Sequence, residues 1–148
     1  MKFTIGNAKG YEIIPTFKDT GQVKKASEVF KCIKAEKIFK GDKGEIYVNI
    51  APPEDKVLFL GLGDKKELNI NTLRFSFFKA GKNLMKLNAK SVFIEIPEFN
   101  GIDYLDGAQA IAEGLLQSEY SFDKYITKKE PMTKIEEVIM RRFLKGVL

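Results

Sequence analysis

The stretch Lys56-Val-Leu-Phe-Leu-Gly-Leu-Gly-Asp64 constrains the fold more than any other part of the chain. Val57, Leu58, Phe59, Leu60 and Leu62 are apolar without alternation. A strand with one wet face would alternate, so this one reads as covered on both faces, the position of a central strand in an α/β sheet. The glycines at its end, Gly61 and Gly63, allow a sharp turn before a helix-like segment. They invite a nucleotide-loop reading, but the third glycine of G-x-G-x-x-G would fall where Lys66 stands, and the loop does not open directly into the helix. The pair reads as a plain strand-to-helix turn.

The elements around that strand follow from periodicity. Phe3 and Ile5 alternate with polar neighbours, Tyr11 to Phe17 is β-rich, and Asn7-Ala-Lys-Gly10 between them is turn-like, which predicts an opening hairpin or strand pair. Val23, Ala26, Val29, Phe30 and Ile33 take helical spacing, for a helix from about Gln22 to Ala35 with Cys32 near its apolar side as a small hydrophobe. Glu45 to Ile50 alternates and is followed by Pro52-Pro53, so it predicts a strand paired antiparallel with the apolar one.

Asn69 or Asn71 can then cap a helix whose stripe is Leu73, Phe77, Ala80, Leu84 and Leu87, widened by Phe78, Gly81 and Met85. Ser91 to Ile96 is a strand stopped by Pro97. A second long helix starts at Asn100 or Asp103 and runs through roughly Glu119, with Ala108, Ile111, Ala112 and Leu115 on one side. Its small residues, Ala110 and Gly114 among them, would let it lie close on a sheet. Together these elements make an α/β fold: a mixed β-sheet flanked by helices, in a single domain over residues 1–148.

The tail carries two conflicting signals. Thr133-Lys-Ile-Glu136 has the spacing of a capping box, and Ile135, Val138, Ile139 and Phe143 share a helical face. Pro131 interrupts the approach, and β-branched residues suit a strand, so the expectation is a strand from about Ile135 to Met140. Arg141 to Leu148 would lead on toward a further domain.

Composition excludes more than it assigns. The absence of His and the single Cys remove zinc sites built from those ligands, the Ser-His-Asp triad and the Cys-His pair. No apolar run approaches the ~20 residues of a membrane helix, and no signal-peptide pattern opens the chain. One cysteine fits a cytoplasmic setting. From Lys124 to Leu148 seven Lys and Arg stand against three Glu; such a tail reads as a solvated face, and nucleic-acid contact is only the alternative, since no aromatics are interleaved. No catalytic, cofactor-binding or metal-ligating residue is assigned to any position.

Two stretches resemble a known family. Lys56 to Leu68 resembles the segment before the first long helix in the N-terminal domain of cytosol (leucyl) aminopeptidases. Ala108 to Tyr125 is similar to that family's helix running into a Tyr-x-Phe-Asp-Lys-Tyr turn, and Phe39-Lys-Gly41, Gly44-Glu45 and Ala89-Lys-Ser-Val92 keep the same order. The resemblance covers about Phe39 to Lys129. It implies a macro-domain-like fold and a non-catalytic domain of a hexameric exopeptidase. That enzyme's two divalent metals, zinc or manganese, sit in a separate C-terminal domain with an Asn-Thr-Asp-Ala-Glu-Gly-Arg motif. Asn71-Thr72 is followed by Leu73 and is not that motif. The implied role is packing on the catalytic domain and assembly; a stand-alone macro-like binding module for an ADP-ribose-type ligand is the alternative.

Overall fold

The computed structural model describes residues 1–124 and 133–143. Six strands, β1 (Lys2–Ile5), β2 (Tyr11–Thr16), β3 (Ile46–Asn49), β4 (Val57–Gly61), β5 (Ser91–Ile96) and β6 (Glu137–Arg142), form one sheet in the order β1-β6-β5-β2-β4-β3. Every neighbouring pair is parallel except β3 with β4, which is antiparallel as expected. Three helices complete the described fold: α1 (Ser27–Ala35), α2 (Ile70–Lys86) and α3 (Tyr104–Lys124). Among the described residues no helix is long and apolar enough to cross a membrane.

Strand β4 is buried at all five positions, and its two faces belong to different cores. Leu58 and Leu60 pack with Ile13, Ile94 and Val138 under α2 and α3, against Leu73, Phe77, Leu84, Ile111 and Leu115. Val57 and Phe59 face the other way, toward Phe30, Ile33 and Phe39. There Phe59 lies 5.2 Å from Phe30 and 6.3 Å from Phe39, centroid to centroid, as tilted aromatic neighbours. The strand is thus closed on both faces, although it sits one in from the β3 edge and β2 and β5 hold the middle.

Helix α2 starts where Asn69 turns its side chain back, the Thr72 amide donating to Asn69 Oδ1 at 2.9 Å. Its stripe is buried through Leu84 and Met85, but Leu87 lies beyond the helix end and is 39% exposed. The small residues of α3 serve α2 rather than the sheet. A Cβ on Gly114 would run into the backbone carbonyl of Arg74, and one on Gly81 would meet Ser118. Gly107, Ala110, Ile111, Gly114, Leu115 and Ser118 make up the inward face, and Ala108 and Ala112 are only half-buried.

Several expectations are corrected. β1 and β2 form no hairpin: β1 pairs with β6, and β2 with β4 and β5. Gly10 is needed not for a hairpin but because its positive φ of 75° brings it against the Ser91 carbonyl, where no side chain fits. Helix α1 starts at Ser27, five residues later than expected, while Val23 and Ala26 still pack on the Phe30 core from the preceding loop. Cys32 points to solvent, away from Phe30 and Ile33. Helix α3 continues through Tyr120 to Lys124, so no turn begins at Tyr120, which is 68% exposed; Tyr125 lies outside the described residues.

The tail forms the expected strand, two residues later than its predicted start. Thr133 does not cap a helix; its hydroxyl bonds Asn88 Oδ1 at 2.9 Å, just past the end of α2. The Glu136 and Glu137 amides donate to the Lys90 carbonyl and start β6 beside β5. Residues 144–148 lie outside the described residues, and with them the remainder of the expected lead toward a further domain.

Two substitutions check this packing. Leu60→Ala, at a fully buried position, should lower the unfolding free energy by about 2–5 kcal/mol in a denaturant titration. Gly114→Ala should destabilise by about 1–3 kcal/mol through overpacking, where an exposed helical glycine would instead gain up to ~1 kcal/mol. A gain at Gly114 would mean that the two helices do not approach as closely as described.

Candidate functional site

The carboxyl ends of the parallel strands are where an open α/β sheet forms its crevices, at points where neighbouring strands send their connections to opposite faces. Here β2 leads into α1 on one face while β5 leads into α3 on the other, and a crevice opens between them. It encloses ≈ 210 Å³ between Glu12, Ile14 and Pro15 of β2, the loop from Thr20 to Lys25, Glu95 and Pro97 at the end of β5, and Phe143 after β6. The Phe143 amide donates to the Ile96 carbonyl at 2.9 Å, which fixes where the chain leaves β6.

The walls are apolar and the floor is charged. Glu12 and Glu95 project from β2 and β5 on the α1 face, each side chain 19% exposed. Arg141 of β6 donates to Glu95 Oε2 from Nε at 3.2 Å and from a terminal nitrogen at 2.5 Å, and stacks its guanidinium 4.9 Å from the Phe93 ring centre. Lys24 stands 3.6 Å from Glu95 Oε1 and 4.4 Å from the Phe143 ring centre. Lys25 lies 4.0 Å from Glu12. Burial pushes the Glu12 carboxyl up from its ordinary 4.5; the Lys25 ammonium pulls it back, Glu95 adds to the rise, and Arg141 and Lys24 oppose it.

A second, more polar crevice of ≈ 530 Å³ lies at the end of β4, lined by Lys18, Asp42, Asp64, Glu67, Asn69 and Thr72. Four of its polar side chains already have partners. Lys18 bridges Asp42 and Asp64 at 3.4 and 3.9 Å, and Asn69 caps α2. The neighbouring loop presents the amides of Lys40, Gly41 and Asp42 as an anion-binding nest, and the chain's own Glu45 carboxylate fills it at 2.9–3.0 Å. Gly61 touches the backbone of Gly41 and Asp42, and Gly63 takes a φ of 81°. These glycines let loop and strand end meet, which agrees with the reading of a structural turn.

Sequence reasoning gave no site role to any residue of the first crevice, although it named Val23, Pro97 and Phe143 as packing or boundary residues. The crevice residues come from four separate stretches of chain, and the available signal was the single charge that interrupts each apolar strand, Glu12 in Tyr11–Thr16 and Glu95 in Ser91–Ile96. Among the described residues no three His, Cys, Asp or Glu side chains come together as metal ligands.

The raised pKa of Glu12 has a consequence for stability. The folded chain holds this proton more tightly than the unfolded chain, so ionising Glu12 costs stability as pH rises above 4.5, and the cost levels off beyond the folded pKa. Glu12→Gln should therefore gain in thermal midpoint relative to the parent chain between about pH 4 and about pH 7. A variant that loses ground over that interval would show the carboxylate to be net favourable.

Residues 18–129 match the cytosol aminopeptidase family, N-terminal domain. A probable cytosol aminopeptidase of Clostridium tetani is 44% identical over 140 residues, which is 95% of this chain and 29% of the relative. Among solved structures, a variant of tomato leucine aminopeptidase superposes with a TM-score of 0.71 at 14% identity, covering 100% of this chain and 33% of that one. The macrodomain of Thermus aquaticus DarG superposes at 0.60 with 11% identity, covering 95% and 96%. The likeness to these two is one of fold, macro-domain-like as expected, and this chain spans under a third of the Clostridium relative's length. By its sequence the chain belongs to the cytosol aminopeptidase family, as a representative of that family's N-terminal domain.

Proposed function

We propose that this chain is the non-catalytic N-terminal domain of a two-metal aminopeptidase that releases N-terminal residues, often leucine, from peptides. The observation that supports this most is the match of residues 18–129 to the N-terminal domain alone, in relatives more than three times as long. The whole of 1–148 is one folding unit in this reading. It carries no catalytic, cofactor-binding or metal-ligating residue, and the zinc or manganese pair belongs to the C-terminal domain. Its role is packing on that catalytic domain and contributing to a homo-hexamer in the cytoplasm.

The chemistry of the crevices agrees with that division of labour. A two-metal hydrolase needs several carboxylates converging on one point about 4 Å across. Here Asp42 and Asp64 are spanned by a lysine, and Glu95 is held by an arginine. Each of these three carboxylates faces a cation of the chain itself, Lys18 being shared between two of them.

The purified chain should release no leucine from leucinamide with manganese or zinc added, and its thermal midpoint should not rise with either metal. Hydrolysis that follows the chain through purification, or stabilisation saturating at one or two metal equivalents, would overturn the assignment.

A further inference from the structure

The α1 face of the sheet is only partly covered by α1. Its aromatic core lies over β4, while among the described residues the β5 and β6 half is covered by the Arg141–Glu95 pair and the loop that carries Lys24. At this point the Lys24 ammonium sits between a carboxylate oxygen, Glu95 Oε1 at 3.6 Å, and an aromatic face, Phe143 at 4.4 Å. A carboxylate opposite a ring face is the chemistry by which proteins hold alkylammonium groups. Lys24 is poorly fixed there: its side chain is 80% exposed and it stands on the loop before α1, outside any helix or strand.

The remaining groups have contacts that do not depend on Lys24. Arg141 engages the other oxygen, Oε2, and stacks on Phe93, so Glu95 stays oriented. Phe143 is tied to β5 through its amide. Beside them Val23, Ile14, Pro15 and Pro97 form an apolar wall. The enclosed ≈ 210 Å³ is smaller than the roughly 300–1,000 Å³ of sites for drug-sized ligands, and suits a charged head with a short side chain.

We propose that this crevice is a binding site for a primary ammonium group on an apolar body, in which Glu95 and Phe143 hold the ammonium and Lys24 is an internal occupant that the ligand displaces. The shared chemistry is found in the α-ammonium of a peptide N-terminus and in a lysine ε-ammonium. In the exchange one monocation replaces another beside Glu95. The site needs no catalytic domain, so it stands apart from the peptidase reading.

The test is a titration of the 148-residue chain followed by amide chemical shifts and calorimetry. Leucinamide offers the α-ammonium, Nα-acetyl-lysinamide only the ε-ammonium, and N-acetyl-leucinamide no charge. Saturable shifts at Val23, Glu95 and Phe143 with one or both cations, and none with the neutral amide, are expected. Phe143→Leu should weaken binding roughly three- to tenfold, and Glu95→Gln at least as much. Lys24→Ala should strengthen it several-fold, a gain that a misfolded variant cannot mimic. No saturable binding of either cation, equal binding of the neutral amide, or weaker binding by Lys24→Ala would each overturn the proposal.

Discussion

The parallel pairing of β6 with both β1 and β5 is the interaction on which the rest of this structure depends. Lys2 through Ile5 meet only β6 in the sheet, and their partners, Glu137 through Met140, lie some 135 residues away along the chain. On its other edge β6 registers Ser91 through Ile96 against Glu137 through Arg142. The N-terminal strand is therefore attached to the sheet only through β6. Closing so long a loop costs entropy before any contact repays it. The two pairings also carry Val138 into the core beneath α2 and bring Arg141 and Phe143 to the crevice.

The same geometry explains why the two faces of the sheet differ. On one face, α2 and α3 are packed so closely that glycines are required where they touch, and the residues of β2, β4 and β5 beneath them are buried. On the other, among the described residues, nine residues of α1 and a cluster of three phenylalanines close only the β4 side. What remains is covered by charge: Arg141 over Phe93 and Lys24 over Phe143, with Glu95 between them. A guanidinium flat on a ring shields apolar surface and keeps its charge at the solvent boundary. That side therefore keeps a charged crevice, whereas the helix-paired side is close-packed.

Local signals in the sequence were reliable where they were strong. The run Val57 to Leu60 required cover on both faces and has it, Asn69 caps α2, and Ser91–Ile96 is the strand that Pro97 stops. Partner choice was not legible. Asn7 to Gly10 has hairpin composition, yet a glycine at a positive φ serves a close approach as well as a turn, and Gly10 is held against β5. Gly114 was legible as a small residue but not as one facing a helix, because periodicity gives the buried side of a helix and not the neighbour it meets. For the crevice, two carboxylates inside apolar strands marked an unusual face. Nothing local showed that they would converge with a lysine from a loop and an aromatic residue from the tail.

The described residues make one continuous sheet in which the last described strand is integral. Native-state hydrogen exchange tests it directly, by comparing the amides of Val138 and Ile139 in β6 with those of Ile13 in β2 and Leu58 in β4. The account predicts that all four exchange through one cooperative opening, with the same free energy and the same denaturant dependence. Exchange of Val138 and Ile139 through a separate low-energy opening, while Ile13 and Leu58 stay protected, would contradict it.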